Sequence, residues 1–266
     1  MFLKKMNISR KIFTLFCTAL SLHSFQVVYA NSLNYQFTAQ IPQNDYDNIV
    51  RPIVNASRFQ FMSFPGASSG RIIPLSISAG AGVTYFDTPS SAKTSLSTYT
   101  NGSADFPDSI IFPRIIAQIG IPFGLDIAVN YAQIPNSKIE LSGVGFQLAI
   151  KPKLLPLSFA ARVGYTQIAN YEPFTASSTN AEILIGAAIP FLKPYIGAGA
   201  NWSNASTNAD FTNNGATIHI SQSSTWTEYY GIGGIHLTFI PFIGIDFNAQ
   251  LSESQTLYNA KLSLDI

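Results

Sequence analysis

One short unit recurs along this chain and limits what it can fold into. Ile121-Pro122-Phe123-Gly124-Leu125-Asp126 sits between two stretches of strict alternation. Before it, Ile115, Ala117, Ile119 and Ile121 alternate with Arg114, Ile116, Gln118 and Gly120. After it, Leu125, Ile127, Val129 and Tyr131 alternate with Asp126, Ala128, Asn130 and Ala132. A period of two on both sides of a Pro/Gly turn signals a β-hairpin. Pro122 lacks the N–H that a ladder needs, so it marks where pairing stops. The unit returns at Ile189-Pro190-Phe191 and Ile240-Pro241-Phe242, and more loosely from Lys151-Pro152 to Pro156-Leu157. A repeated hairpin implies an array in which each unit needs its neighbours, here an all-β, up-and-down antiparallel barrel.

Composition decides where such a barrel would sit. The chain of 266 residues is 47% hydrophobic but only 11% charged, against about 25% charged for a soluble domain. Its net charge of +1 gives no argument for nucleic acid as a partner. After residue 30, no apolar run approaches the roughly 20 residues of a spanning helix. Few charges, no spanning helix and dispersed alternation fit a transmembrane barrel, with outer-membrane lipid as its surroundings.

Residues 1–30 read as a secretory signal. Lys4, Lys5, Arg10 and Lys11 form a basic start, an apolar core runs from Ile12 to Leu22, and Val28-Tyr29-Ala30 offers a cleavage site. Cys17, the one cysteine, lies inside that segment, so the exported chain is expected to carry no thiol or disulfide. Residues 31–70 read as an N-terminal plug-like segment. Tyr46, Ile49, Val50, Ile53 and Val54 recur at helical spacing, with Asn44 and Asp47 at the start and Pro52 expected to kink or end the helix. So short a helix needs a surface to pack on, and the periplasmic mouth or the lumen supplies one.

The barrel itself is expected over residues 71–266, with strands near 75–86, 110–121, 125–134, 139–150, 157–167, 181–189, 195–203, 225–239, 243–252 and 257–266. Most approach the ~9–11 residues that cross a bilayer as a tilted strand. The Pro turns are short, whereas 87–109 and 204–224 are long and rich in Asn, Ser and Thr. Short turns mark the periplasmic end and long loops the outer end. With every Pro turn periplasmic, both termini fall on that side and the strand number is even, about ten. If 33–41 and 58–64 were strands too, there would be about twelve. Gly233-Gly234 shifts the apolar phase between Ile232 and Ile235, which suggests a bulge. Phe123, Phe191 and Phe242 mark one aromatic belt; Tyr131, Tyr165, Trp202, Trp226, Tyr229 and Tyr230 mark the other.

The helical stretch Tyr46–Asn55, Phe112-Pro113-Arg114, Gly120–Asp126 and Gly143-Val144-Gly145-Phe146-Gln147 resemble Gram-negative outer-membrane β-barrels of largely unknown function. The likeness covers most of residues 44–165, and those proteins carry an N-terminal helical segment before the barrel. It implies architecture and no catalytic residues. The C-terminal alternation Tyr258, Ala260, Leu262, Leu264, Ile266 resembles the segment such proteins present to the barrel-assembly machinery, with Ile266 where Phe is usual.

Nine ionisable residues fall on inward-facing positions and are expected to line the lumen: Arg114, Asp126, Arg162, Glu182, Glu228, His236, Asp246, Lys261 and Asp265. Mutual pairing in a narrow barrel explains them better than a selectivity lining, because a wall near eight strands is filled by its own side chains. His236 with Asp246, and Arg162 with Glu182, are expected as cross-strand neighbours. His219-Ile220-Ser221 resembles the His-x-Ser pair of outer-membrane phospholipases. The orienting Asn is missing at the matching place. A ten-stranded outer-membrane protease would need paired Asp and an Asp/His couple at the outer rim, and Asp87, Asp105, Asp108 and Asp210 show no such spacing with His219. No metal or other cofactor is expected. The sequence thus supports a narrow passive pore of unknown solute or a structural surface barrel. A lipid-acting enzyme at His219 and Ser221, and an adhesin working through 87–109 and 204–224, are the alternatives.

Overall fold

The computed structural model describes residues 40–67, 75–99, 107–133, 139–152, 155–169, 174–213, 216–240 and 242–266. The expected signal segment 1–30 and the stretch 33–39 lie outside them. Ten strands form one closed barrel in simple up-and-down order. They are β1 (Ser76–Asp87), β2 (Ser109–Ile121), β3 (Leu125–Gln133), β4 (Glu140–Ile150), β5 (Leu157–Ala169), β6 (Thr175–Ala187), β7 (Leu192–Asn213), β8 (Ala216–Ile240), β9 (Ile243–Ser252) and β10 (Thr256–Asp265). The seam pairs β1 with β10 from Ser78↔Asp265 to Tyr85↔Tyr258. Ile77 and Ile266 exchange both backbone hydrogen bonds at its end. Because β1 pairs β2 and β10 at once, the wall has no place for a twelfth strand.

Alternation along the wall is regular. Val129, Ile183, Ile196 and Leu262 point outward and are exposed, while Ala128, Leu184 and Lys261 point inward and are buried. Exposed apolar side chains cover the outer face of every strand, the pattern that a lipid surround demands. β8 keeps its register with both neighbours through Gly233-Gly234. The expected bulge is absent there: Ile232 simply faces inward and Ile235 outward. The register shift of this strand falls later, between Leu237 and Ile240.

At the Pro turns, Phe123, Phe191 and Phe242 adopt φ of 74°, 67° and 72°. Each follows a Pro, as position i+2 of a type II turn follows i+1, a place that Gly normally takes. A bulky residue in this left-handed region costs about 1–3 kcal/mol. All three rings stand exposed at one rim of the barrel, Phe123 at 98%. Apolar anchoring at a lipid interface is a physical reason to keep them there.

At the opposite rim the sequence reading needs correction. Of the stretch 204–224, expected as a loop, residues 204–213 and 216–224 are strand: β7 and β8 stay paired to Asn213↔Ala216. β6 accompanies β7 only to Ser206, and β9 joins β8 only from Tyr230. The remainder is a two-stranded ribbon beyond the wall. Residues 87–109, also expected as a loop, contain helix α2 (Ser90–Tyr99), and the salt bridge between Lys93 and Asp108 ties that helix to the start of β2. Helix α1 (Gln43–Ser57) precedes the barrel in sequence. It begins after Pro42, without the side-chain cap expected from Asn44, and it runs through Pro52. Complete burial of Tyr46, Ile49, Val50, Ile53 and Val54 offsets the cost of the interior proline, about 3 kcal/mol.

Candidate functional site

The interior of the barrel is occupied by the chain's own residues 41–66. Helix α1 packs against α2 and against β5, β6, β7 and β8. After Ser57 the chain leaves the helix and descends through the bore without joining the sheet, so residues 58–64 are not wall strands. Arg58, Phe59, Gln60, Phe61 and Met62 are all buried.

Two kinds of contact hold this segment. The first is steric. Inward-facing glycines leave hollows that its side chains fill: a Cβ on Gly145 would lie 2.4 Å from the Phe59 ring, and one on Gly164 2.5 Å from the Phe59 Cβ. A Cβ on Gly186 would lie 2.4 Å from Phe64, and one on Gly82 2.9 Å from the Met62 sulfur. Phe61 packs edge-on against Phe59, with ring centroids 5.1 Å apart.

The second is polar. An extended segment inside a bore has no strand partner, so its carbonyls need donors from the wall. Arg114 donates to the carbonyls of Ala56 and Arg58. Asn180 donates to Phe59 O at 3.3 Å and Lys261 to Phe61 O at 3.4 Å. Arg162 donates to Ser63 O at 2.8 Å and Gln147 to Gly66 O at 3.1 Å. In the other direction, Arg58 donates to Gln250 Oε1 at 2.8 Å and to Glu228 at 3.3 Å.

Of the nine ionisable residues singled out from the sequence, all but Asp265 are buried; Asp265 is half-buried and accepts from the Ser78 hydroxyl at 2.6 Å. Arg162 and Glu182 are cross-strand partners with Nη1 and Oε2 3.9 Å apart. His236 and Asp246 are partners likewise, 3.6 Å apart. Arg114 and Lys261 bond the segment instead of an acid. Asp126 accepts from Gln118 and from Gln147, whose Oε1 accepts from Arg162. Glu182 accepts from the Tyr230 hydroxyl at 2.9 Å, and Asp246 from the Tyr195 hydroxyl at 2.7 Å. Charges buried this deep need a counter-charge or hydrogen bonds: Arg114 and Lys261 have the carbonyls of the segment, and the Arg162–Glu182 and His236–Asp246 couples have each other.

Several members of the site were not legible in sequence. Arg58, Asn180 and Gln250 carry no motif, and Gln147 was marked only as the end of an architectural one. Trp226 and Tyr230, expected in an outer aromatic belt, face inward. Trp226 donates its indole N–H to Asn55 at 2.8 Å, and Tyr230 lies under the Arg58 guanidinium. Parity was the available signal: 226, 228 and 230 share one face, and Glu228 had been assigned to the inside.

At the ribbon tip, Asp210 and His219 are cross-strand partners, with Nδ1 and Oδ1 2.6 Å apart. Sequence spacing missed this couple because the two residues meet across a turn. Both side chains are about two-thirds exposed. Ser221 is exposed on the same face and pairs with Asn208.

A family model described as a family of unknown function, DUF6588, matches residues 54–263, and the chain belongs to that family. The match begins inside α1 and runs through the ten strands to residue 263 of β10. No curated protein matches the chain. Among solved structures, the KdgM porin in complex with disordered oligogalacturonate is 11% identical, covering 71% of this chain and 98% of that one, with a TM-score of 0.35. Omp33, an outer-membrane protein of Acinetobacter baumannii, is 9% identical over 77% and 100%, with a TM-score of 0.33. Neisserial surface protein A is 14% identical over 72% and 96%, with a TM-score of 0.32. At these scores none bears on function.

Proposed function

We propose that this DUF6588 member is a bacterial outer-membrane β-barrel, exported with loss of residues 1–30, whose lumen is closed by its own residues 41–66. It acts as a structural barrel at the cell surface and not as an open diffusion pore. The membrane part of this reading is supported by the exposed apolar outer face and by the Phe123, Phe191 and Phe242 rings at one rim. Tyr131, Tyr165, Trp202 and Tyr229, exposed toward the other rim, supply a second aromatic belt. The closed lumen rests on one observation: wall donors on five strands, Arg114, Gln147, Arg162, Asn180 and Lys261, bond successive carbonyls of the inner segment.

The reading is non-enzymatic. The exposed His219–Asp210 couple supports no acyl-transfer centre with Ser221, because water screens it from both sides. Single-channel recording on refolded protein tests the proposal. The full chain should give little or no conductance, and a variant lacking residues 40–66 should give distinct openings. Steady, large openings from the full chain would overturn it.

A further inference from the structure

The direction in which the inner segment runs has a topological consequence. Its wall partners change in order along the chain. Gly66 and Phe64 lie at the Pro-turn end: the carbonyl of Gly66 bonds Gln147, a Cβ on Gly66 would lie 3.6 Å from Ser158 near the start of β5, and Phe64 fills the hollow at Gly186 near the end of β6. Phe61, Phe59 and Arg58 occupy mid-bore, against Lys261, Asn180 and Glu228. Asn55 reaches Trp226 and Ser254, and the carbonyl of Pro52 accepts from Gln255; Ser254 and Gln255 form the β9–β10 turn, and Trp226 lies on β8 beyond its pairing with β9. Tyr46 accepts from Thr207 on the ribbon. The carbonyl of Ile41 accepts from Gln222, and Gln43 donates to the carbonyl of Ser223. Asp45 accepts from Ser95 and Tyr99 of α2. Gln40, Pro42, Gln43 and Asn44 are exposed at this rim.

Residues 41–66 thus touch the ribbon at one end and the Pro-turn ends of β4, β5 and β6 at the other, by way of a descent that bends at Met62 (φ 45°) and turns back at Gly66, whose N–H donates to the Phe64 carbonyl. The chain therefore crosses once through the bore before it builds ten crossings in the wall. The sequence expectation of two periplasmic ends counted wall strands alone. An eleventh crossing reverses it for the amino-terminal side.

We infer that the barrel carries its own amino-terminal stretch to the outer face, so that Gln40–Asn44 stand outside the cell while Ile266 stays on the periplasmic side. This rests on the outer-membrane reading, in which the long ribbon marks the outer end and the Pro turns the inner one.

Single cysteines test this directly, since the expected mature chain has none. Gln40→Cys, Ser221→Cys at the ribbon and Leu155→Cys at the Pro-turn end are all exposed positions that packing tolerates. Intact cells are treated with a membrane-impermeant maleimide, and a second sample is treated after lysis. Gln40→Cys and Ser221→Cys should label fully in intact cells, and Leu155→Cys only after lysis, by a factor of ten or more. If Gln40→Cys labels like Leu155→Cys while Ser221→Cys labels outside, the crossing is wrong and the membrane reading stands. If Ser221→Cys and Leu155→Cys label alike, the membrane reading itself fails and the inference falls with it. If Leu155→Cys alone labels in intact cells, the barrel is inverted and the inference is overturned.

Discussion

The guanidinium carbon of Arg58, carried on the inner segment, lies 3.9 Å from the centroid of the Tyr230 ring on the wall. The same guanidinium bonds Gln250 and Glu228, and Tyr230 in turn bonds Glu182. One residue of the segment thus joins β6, β8 and β9 through a stacked cation and two acids. Arg58 has no exposed side-chain surface, so its loss leaves Glu228 buried without its cation.

Arg58→Ala should therefore loosen the segment more than any single apolar truncation. Removing one member of a buried ion pair costs about 3–5 kcal/mol. The expected readout is a lowered midpoint of heat unfolding in detergent together with new channel openings. Arg58→Lys keeps the charge but not the fork that reaches Gln250 and Glu228 together, so it should fall between. Unchanged unfolding in Arg58→Ala would mean that the glycine hollows alone retain the segment.

Those hollows give a second, sterically independent expectation. Gly145→Ala places a methyl 2.4 Å from the Phe59 ring, whereas Gly231→Ala meets nothing within 4 Å. The first should destabilise by about 1–3 kcal/mol through overpacking, and the second should be nearly neutral. Combining Gly145→Ala with Phe59→Ala should recover part of the loss, a non-additivity expected of residues in contact. Denaturant titration of the four proteins measures it. Strict additivity would show that Phe59 is not seated there.

How much of this was legible in the sequence follows from what each part packs against. The wall was readable because each strand repeats one local rule, with Ile127, Val129 and Ile183 outward and Asp126, Asn130 and Glu182 inward. The apolar face of α1 was readable for the same reason, from Tyr46, Ile49, Val50, Ile53 and Val54. The descent from Arg58 to Gly66 was not, because its structure comes from partners far away in sequence, such as Gly145, Asn180 and Gln250. Its alternation of Phe59, Phe61 and Ser63 even imitates a strand. The ribbon was missed because Asn204–Ser224 lacks the apolar phase that marks strands, while Thr and Ser hold a ribbon well enough once one face is covered.

On the outer face, Val129→Arg and Ile183→Arg should each cost about 2–4 kcal/mol of folding stability in lipid bilayers. Both side chains are exposed near mid-strand. Ser223→Arg, exposed on the ribbon, should cost almost nothing. Refolding efficiency into vesicles separates the two groups. Equal tolerance of all three would remove the lipid-facing assignment.

The turn phenylalanines set backbone strain against anchoring. Phe123→Gly relieves the cost of φ 74° and removes a ring that is 98% exposed. In detergent, where no ordered interface exists, the variant should be more stable by about 1 kcal/mol. In bilayers the lost ring should cancel that gain. Paired denaturant titrations in the two media compare them directly. A loss of stability in detergent would mean that the ring packs on the protein instead.

The ribbon should depend on α1. Beyond Ser206 and before Tyr230 the two strands have only each other, and an isolated hairpin is marginal in water. Their inner face is nonetheless buried at Ala205, Thr207, Ile220 and Ser224, and Thr207 bonds Tyr46. Gln222 and Ser223 hold Ile41 and Gln43, so the helix start closes over the same face. Deleting residues 40–57 should then expose 207–222 to protease while the wall stays folded. Tyr46→Ala should have a smaller effect of the same kind, since it removes one ring and one hydrogen bond. Hydrogen exchange read on ribbon peptides gives the measure: protection lost in the deletion, partly lost in Tyr46→Ala, and unchanged along β3, β4 and β5. Full protection of the ribbon without α1 would show that the two strands stand by their own pairing, leaving the helix as a stopper for the bore alone.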